Sequence, residues 1–499
     1  MGKPLVSVLV IVYNSLDDLE DCLSSVLDSD YPNVEIIAVD NASTDGSPVF
    51  IRQKFPSVKL IEYASNLGFC EANNRAIRLA TGYFILLLNP DTHLPRDTIS
   101  ILVNRMEKDP QIGILAPKML FLQERGVINS AGLQSNRIFY SCDRGFLEYD
   151  RGQYDEAGAS LTEASVIGAC GGAMFVRKAV IDEIGLFDSR YFMYYEDLDF
   201  GIRSWLAGYK VLYTPDAIVY HRMRASGRSE YLNEYMDHKN RLRTLLKNCS
   251  LPTLLRDLPR SLVFDLACIA NHLRLGRGSA AGLRLKALLW NLVMLPDTLA
   301  WRSRVNRARR ESDRVFLNLL SPDSGYPRVN VPSPPYSPLY ASTLDPAKLS
   351  SRIEPGGSDE DQLGLGWYGP EMWSETPVRW TNNYGIAFLG KPWPGPGDLT
   401  IRYISPVDVA GKLLVNDAHL CDFSGLAHQW ETVRHGIDND SAAIKVTLLL
   451  DKTFNPRRDF GAKDDRVLGM AVSSIALTKA GIEGHSFLEE AAGTHCAGK

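Results

Sequence analysis

The sequence has no clustered cysteines and no long uninterrupted apolar segment. None of its runs reaches the roughly 18 uncharged apolar residues that a membrane-spanning helix needs, which excludes a polytopic membrane protein. The eight cysteines are scattered without a Cys-x-x-Cys pair, so we expect reduced thiols in a cytoplasmic protein, and neither a disulfide framework nor a zinc site. Because the first residues lead directly into a strand-like segment, we also expect no signal peptide.

The composition excludes further classes of protein. Of the 499 residues, 45% are hydrophobic and 23% are charged, which is not the composition of a disordered, collagen-like or coiled-coil chain. The net charge of −5 hides a basic block, since residues 251–320 carry 12 Lys and Arg against 5 Asp and Glu. This block is either a solvated helix face, a surface for a partner, or a peripheral contact with an anionic membrane. The acidic remainder of the chain disfavours nucleic acid as a partner.

Strand and helix patterns alternate in the first part of the chain. Apolar, β-branched runs predict buried strands at 5–12, 34–39, 59–62 and 83–88, with helical spacing between them. This order predicts right-handed βαβ units and a mostly parallel, Rossmann-like sheet. Later segments predict a strand at 168–176, a helix that begins at Glu196-Asp197, and short strands at 210–213 and 217–220 that end at His221.

Polar side chains follow three of the predicted strands, where sheets of this kind bind ligands. After these strands come Tyr13-Asn14, Asp40-Asn41 and Asn89-Pro90-Asp91. Asp40 is suited to accept hydrogen bonds from a base or a ribose, Asp91 to bind a hard divalent cation with His221, and Asp197 to act as a general base. Each also has an ordinary structural interpretation as a turn residue, a strand-end histidine or a helix cap.

The rest of the chain divides by composition. Helical patterns at 235–320 are interrupted at Pro252, Pro259, Gly276–Gly282 and Pro296, and residues 321–362 are rich in proline. Short alternating runs set among turn residues then predict a β-sandwich. We therefore predict an α/β domain (1–248), a basic helical extension (249–320), a proline-rich linker (321–362), a β-sandwich (363–479) and a mobile tail (480–499).

In this order and spacing, the motifs of residues 5–248 resemble family 2 glycosyltransferases of the GT-A fold, particularly a bacterial rhamnosyltransferase-like branch. The matching segments are 8–14, 39–47, 66–74, 88–91, 171–177, 185–188, 196–199, 203, 208–209, 215, 221 and 239–241. Less specifically, 367–371, 454–458 and 464–469 resemble jelly-roll domains appended to polysaccharide glycosyltransferases. Five of the eight tryptophans also lie in this part, which suits either glycan binding or a structural or oligomerising role.

The resemblance implies a role for individual residues. Asp197 is implied as the catalytic base with Glu196 beside it, and Mg²⁺ or Mn²⁺ is implied at Asp91 and His221. The residues implied in nucleotide binding are Val12, Tyr13, Asn14, Asp40, Asn41, Asn66, Gly68, Asn73 and Asn89, the last of which replaces the first aspartate of the family's metal motif. Those implied in acceptor binding are Gly172, Glu196 and Asp199, of which Glu196 and Asp199 also suit structural roles. As Asp197 lies at a helix N-terminus, we expect it to stay ionised.

The implied activity is inverting transfer of a sugar from a nucleoside-diphosphate donor, dTDP-rhamnose or a UDP-hexose, to a hydroxyl of a growing surface glycan. The acceptor is either a free or a lipid-linked glycan, and the enzyme would then lie in the cytoplasm or peripherally at the inner face of the cell membrane, through 251–320. The alternative is a glycan-binding scaffold with a degenerate, non-catalytic transferase domain. The sequence leaves the oligomeric state open.

Overall fold

The computed structural model describes residues 2–155, 164–222, 230–321, 349–354, 362–438, 441–460, 462, 464 and 466–480. The chain divides into two compact units, Met1–Val329 and Asn330–Lys499. The predicted linker and tail lie largely outside the described residues, and the boundary expected at residue 248 stays a prediction.

The first unit contains eleven strands, eleven α-helices and one short 3₁₀ helix within its described residues. In chain order these are β1 (Val6–Val12), α1 (Leu16–Leu27), β2 (Val34–Asp40), α2 (Ser47–Lys54), β3 (Lys59–Glu62), α3 (Gly68–Leu79), β4 (Phe84–Leu88), β5 (Thr92–His93), α4 (Thr98–Glu107), β6 (Ile112–Phe121), β7 (Ile128–Ser130), β8 (Leu133–Ser135), β9 (Ser141–Asp143), β10 (Ala173–Arg177), α5 (Lys178–Ile184), the 3₁₀ helix (Ser189–Tyr191), α6 (Glu196–Leu206), β11 (Lys210–His221), α7 (Glu230–Asn248), α8 (Leu251–Arg274), α9 (Gly278–Val293), α10 (Leu295–Ala308) and α11 (Arg314–Leu317).

A nine-stranded sheet with the order β3-β2-β1-β4-β10-β6-β11-β5, and β7 beside β6, forms the centre of this unit. Strands β3, β2, β1 and β4 are parallel, as predicted, and β10 runs antiparallel to both of its neighbours. Alternate residues of β1 enter two different cores, with Val8 and Val10 on one face and Leu9 on the other, which explains its uninterrupted apolar sequence. The predicted α/β fold is confirmed, and the sheet is mixed beyond β4.

Two local predictions are wrong. The strands expected at 210–213 and 217–220 form one strand, β11, whose register shifts between Thr214 and Ile218. Helix α8 continues through Pro259, where we expected an interruption. Proline removes the hydrogen bond to the carbonyl four residues earlier, and here Leu255 and Pro259 both face solvent, so water can satisfy the Leu255 carbonyl.

The helices that follow β11 pack on one another. Helix α7 contacts α6, α8, α9 and α10, and α8 also contacts α9. No helix in the described part of the chain has both the length and the hydropathy needed to cross a membrane.

The second unit is an antiparallel β-sandwich, as predicted. A six-stranded sheet with the order β13-β14-β21-β16-β19, and β12 beside β21, and a four-stranded sheet with the order β15-β20-β17-β18 contribute to one core, which contains Ile401, Ile475, Leu389 and Leu413. Its elements are β12 (Arg352–Ile353), β13 (Trp367–Trp373), β14 (Thr376–Thr381), β15 (Tyr384–Gly390), β16 (Gly397–Ile404), β17 (Val409–Val415), β18 (Ala418–Gly425), β19 (Glu431–Ile437), β20 (Ala443–Leu450), α12 (Pro456–Phe460) and β21 (Ala471–Lys479).

Candidate active site

The polar residues that follow β1, β2 and β4 lie at one edge of the large sheet. Val12 is paired with Asp40 in the parallel register, and the Asn41 amide donates to the Val12 carbonyl at 2.8 Å. On the other side of β1, the Asn89 amide donates to the Gly172 carbonyl at 2.9 Å, which brings the start of β10 to the same edge. The predicted strand-end residues are therefore neighbours in the fold.

Asp40 has an incompletely satisfied carboxylate at this edge. Its side chain is buried, and Oδ2 accepts from the Ser43 amide at 3.1 Å. Its other oxygen, Oδ1, is also buried and finds no hydrogen-bond partner among the described residues. Because burying an unpaired acceptor is costly, this oxygen is suited to receive an N–H or O–H donor from a ligand. Beside it, Asn14 accepts from the Thr44 amide at 2.8 Å, and Tyr13 is exposed.

The amide groups of Asn41 and Asn66 fix the segment that leads into α3. Asn41 Nδ2 donates to Asn66 Oδ1 at 2.9 Å, Asn41 Oδ1 accepts from the Leu67 amide at 2.8 Å, and Asn66 Oδ1 also accepts from the Gly68 amide at 2.9 Å. Asn73 is buried and donates to the carbonyl one turn earlier, at Phe69. These contacts hold the segment in place and occupy many of the hydrogen-bonding groups of its side chains.

Gly68 allows this segment to approach the loop before α6. It has a φ of +78°, and a Cβ at this position would lie 2.7 Å from the Phe192 carbonyl oxygen. Only glycine combines that backbone conformation with so close an approach.

Asp91 and His221 form a pair. His221 Nε2 lies 3.1 Å from Asp91 Oδ1, and its Nδ1 lies 2.9 Å from Asn129 Oδ1. A proton on Nδ1 satisfies the contact with Asn129 and leaves the Nε2 lone pair directed at the carboxylate. Two acceptor atoms at this distance require a proton or a cation between them.

The Asp91 carboxylate and the His221 imidazole suit two coordination positions of a divalent cation. Asn129 holds the imidazole in the tautomer that can bind a metal. The described residues contain no group of three or more His, Cys, Asp and Glu that could hold a metal ion.

The loop before α6 has an unusual backbone. Phe192, Tyr194 and Tyr195 all have φ values between 66° and 69°, a conformation that non-glycine residues rarely adopt. Asn240 on α7 stabilises it, because its Nδ2 lies 3.1 Å, 2.8 Å and 2.8 Å from the carbonyls of Tyr191, Met193 and Tyr194. Strained backbone of this kind is concentrated at functional sites, and α6 begins immediately after it with Glu196 and Asp197.

Asp197 is half-buried at the N-terminus of α6. Its Oδ1 accepts from the Leu198 amide at 2.8 Å, and its Oδ2 accepts from the Gly171 amide at 3.3 Å. Burial, reinforced by the charge of Asp143, nevertheless raises the pKa of Asp197 to about 6. The stabilisation by the helix dipole is therefore smaller than the cost of burying the charge, although a pKa of about 6 still leaves Asp197 mostly ionised at neutral pH.

Glu196 and Asp199 differ sharply from Asp197 in their surroundings. Burial, followed by the charge of Asp197, raises the pKa of Glu196 well above its ordinary value, so Glu196 retains its proton more readily. Burial alone would also raise the pKa of Asp199, but Lys247 and Arg203 hold it below its ordinary value. Asp199 is fully buried, 2.8 Å from Lys247 Nζ and 2.9 Å from Arg203 Nε, which favours the structural one of its two anticipated roles.

Two residues of this region had no signal in the sequence. Asn129 comes from β7 and orients His221. Asp143 ends β9, and its own pKa is raised by burial. Both belong to three-residue strands without a recognisable motif, and only tertiary packing brings them to the sheet edge.

Comparisons with known proteins find similarity to glycosyltransferases. The family model described as Glycosyl transferase family 2 matches residues 7–185. The chain is 27% identical over 255 residues to an N-acetylglucosaminyl-diphospho-decaprenol L-rhamnosyltransferase of Mycobacterium tuberculosis. The aligned region covers 47% of this chain and 81% of that protein. It is 24% identical over 215 residues to a poly-beta-1,6-N-acetyl-D-glucosamine synthase of Staphylococcus epidermidis, covering 43% of this chain and 48% of that protein.

Two solved structures are also similar. One is a mannosyltransferase, PcManGT from Pyrobaculum calidifontis in complex with GDP-Man and Mn²⁺, with a TM-score of 0.38 and 20% sequence identity. The match covers 64% of this chain and 88% of the mannosyltransferase chain. The other is S. aureus TarS, with a TM-score of 0.39 and 14% sequence identity. The match covers 89% of this chain and 72% of the TarS chain.

Proposed function

Because residues 7–185 match the family model of the family 2 glycosyltransferases, we propose that this protein transfers a sugar, with inversion, from a nucleoside-diphosphate donor to a hydroxyl of a glycan. The observation that carries this proposal is the site at one sheet edge. An unpaired buried carboxylate oxygen, a carboxylate–imidazole pair and a half-buried carboxylate with a pKa of about 6 belong to the segments that meet there. These are the groups that such a displacement needs.

The donor would bind at the ends of β1, β2 and β4. Asp40 Oδ1 accepts an N–H or O–H of the nucleoside, and Tyr13 contacts the base from its exposed position. Val12, Asn14, Asn41, Asn66, Gly68, Asn73 and Asn89 complete the nucleotide site, several of them by shaping the backbone around it. The similarity to the rhamnosyltransferase favours dTDP-rhamnose, with a UDP-hexose as the other donor class.

Asp91 and His221 would hold Mg²⁺ or Mn²⁺. When bound, the cation supplies positive charge that stabilises the departing diphosphate. Asn129 keeps the imidazole in the tautomer that offers its Nε2 lone pair, 3.1 Å from the carboxylate.

Asp197 would act as the general base. The acceptor oxygen forms a bond to the anomeric carbon while its proton passes to the Asp197 carboxylate, and the bond from that carbon to the diphosphate breaks. A pKa of about 6 leaves Asp197 ionised at neutral pH but more basic than an ordinary aspartate, and a base so placed is worth roughly 10²–10⁴ in rate. Glu196, whose pKa is raised by burial and by the charge of Asp197, would contact the acceptor beside the base, with Gly172 lining the same side.

The acceptor would be a growing surface glycan, either free or lipid-linked. The name of the mycobacterial relative contains a decaprenol lipid as part of its acceptor. This favours a lipid-linked glycan as the acceptor, and a reaction at the cytoplasmic face of a membrane. Nucleic acid is not proposed as a partner.

A donor panel tests the proposal. The full chain is incubated with Mn²⁺ and dTDP-rhamnose, UDP-glucose or UDP-N-acetylglucosamine, and release of the nucleoside diphosphate is measured. We expect turnover of one donor, and we expect Asp91→Ala to lose metal-dependent nucleotide binding in calorimetry.

Asp216→Asn, at an exposed position in β11, is the matched control and should behave as the unchanged protein. If none of these donors binds or turns over, the proposal fails; if the protein binds glycan without turnover of any donor, it is the glycan-binding scaffold.

A further inference from the structure

The fully buried positions of helix α8 are all polar, while Leu254, Leu258 and Leu262 pack partly buried against the core of the first unit. The fully buried residues recur at every fourth position, and they are Thr253, Asp257, Ser261 and Asp265. The opposite side of the helix exposes large apolar side chains, among them Leu255 at 71% exposure, Val263 at 65% and Leu266 at 58%. A surface helix of a water-soluble domain has the reverse arrangement.

Buried ion pairs fix this orientation. Asp265 Oδ2 lies 2.5 Å from Arg241 Nη2, and its Oδ1 lies 3.0 Å from Arg284 Nη1. Arg241 Nη1 also donates to Ser261 Oγ. If α8 rotated to bury Leu255 and Leu266, these charges would lose their partners, which is strongly unfavourable in a buried site. The apolar side is therefore held outward.

Helix α9 also exposes large apolar side chains, although its buried side is mixed. Ala281, Leu283 and Ala287 are buried there together with Arg284 and Asn291, and Asn291 Nδ2 donates to the Lys239 carbonyl at 3.0 Å. Leu289, Leu292 and Val293 are exposed on the other side, Val293 at 75%. We call the exposed side chains Leu255, Val263, Leu266, Leu289, Leu292 and Val293 the apolar face.

The helical block carries mostly positive charge at its surface. Between residues 251 and 320, Asp257, Asp265 and Asp313 are buried and Asp297 is partly buried. The exposed basic side chains of this stretch are Arg256, Arg260, Arg274, Arg277, Lys286, Arg304, Arg307, Arg310 and Arg314, and Glu311 is its one exposed acid. Exposed leucines on a surface with this excess of positive charge are complementary to the hydrocarbon and the anionic headgroups of a lipid surface.

We propose that the apolar face of α8 and α9 inserts into the surface of an anionic lipid bilayer, with the arginines at its border on the headgroups. The inner sides of both helices stay attached to the first unit through Asp265 and Asn291, so the helices lie flat on the bilayer. This contact needs no donor and no turnover, so it stands or falls independently of the transferase activity, whose lipid-linked acceptor it would suit.

Vesicle flotation of the full chain tests the contact. Vesicles of phosphatidylcholine alone are compared with vesicles of phosphatidylcholine and phosphatidylglycerol. The test variant carries Val263→Asn, Leu266→Gln and Leu292→Gln together. We expect binding to the anionic vesicles only, and a loss on the order of a hundredfold in the test variant, because three inserted apolar side chains are replaced by polar ones.

The matched control carries the same changes on other helices. Leu27→Gln, Val49→Asn and Leu79→Gln replace side chains of the first unit that are also exposed, and this variant should bind as the unchanged protein does. Thermal unfolding checks that both variants are folded.

A second variant keeps the test decisive if the first one is unstable. Arg274→Gln with Arg277→Gln alters exposed residues at the end of α8 and should weaken binding about tenfold. No flotation of the unchanged protein, equal binding to neutral vesicles, or equal losses in test and control variants would overturn the proposal. So would light scattering that shows a dimer which the apolar-face variant converts to monomers, because the face would then bind a second copy of the chain.

Discussion

Replacing Asp197 by asparagine tests the assignment of the general base. Asparagine has the same shape, and its Oδ1 can still accept from the Leu198 amide, now 2.8 Å away, so the fold and donor binding should survive. A general base contributes roughly 10²–10⁴ in rate, which corresponds to a barrier higher by about 3–5 kcal/mol in the variant. The assay is the initial rate with saturating donor and Mn²⁺, with Asp216→Asn as the control.

The pH profile separates this role from a structural one. A base must be unprotonated to work, and burial raises the pKa of Asp197 to about 6. The rate of the unchanged protein should therefore be level above pH 6 and fall about tenfold for each pH unit below it, whereas an ordinary aspartate would place that fall near pH 4. The residual rate of Asp197→Asn should lack this fall.

Stability supplies a readout that does not depend on turnover. Because the folded-state pKa lies above the unfolded-state value, ionised Asp197 opposes folding, and the penalty develops as the pH rises from about 4 to 6. Asp197→Asn should therefore be more stable than the unchanged protein at pH 7, and this advantage should disappear below pH 4. A variant that keeps its fall in rate near pH 6, or loses less than tenfold in rate, would refute the assignment.

Three further substitutions test the site and its support. Asp40→Asn should weaken binding of the nucleoside diphosphate about tenfold in calorimetry, because a charged acceptor is lost. Gly68→Ala should lower the free energy of unfolding by about 1–3 kcal/mol; Gly185→Ala, which shares the positive φ but has open space for a Cβ, should cost less, and equal losses would exclude the steric explanation. Lys247→Met should lower the free energy of unfolding, measured by chemical denaturation, by about 3–5 kcal/mol, because two buried carboxylates would lose a cationic partner. Lys178→Met removes only an exposed ion pair, which is worth up to about 0.5 kcal/mol.

The sequence predicted the parts of the site that local chemistry determines. Asp40 and Asp91 follow strands whose apolar pattern is unmistakable, and the order of the strands brings their ends together. Asn129 and Asp143 were missed because three residues in an irregular segment carry no periodicity, and their positions depend on packing against β6 and His221. The pKa of Asp197 could not be predicted either, since it depends on burial and on the distance to Asp143.

The basic block illustrates the same limit. Periodicity identifies α8 as amphipathic, but it does not say which side faces inward. That choice is made by partners distant in sequence, such as Arg241, which pairs with Asp265 and leaves Leu255 and Leu266 outside. The interpretation of the basic block as a solvated helix face did not anticipate its buried arginines, such as Arg284, which neutralises a carboxylate inside the unit.

The polar side of the helical block also supports the candidate active site. Helix α7, on which α9 and α10 pack, provides Asn240 to hold the strained loop before α6 and Lys247 to bridge Asp188 and Asp199 at 3.0 Å and 2.8 Å. The buried charges of α8 and α9 are therefore part of the framework that fixes the position of Asp197. Replacing these charges with apolar residues would remove the ion pairs that hold Leu255 and Leu266 outward, so the buried polar groups of this block support the loop before α6 and keep the apolar face exposed.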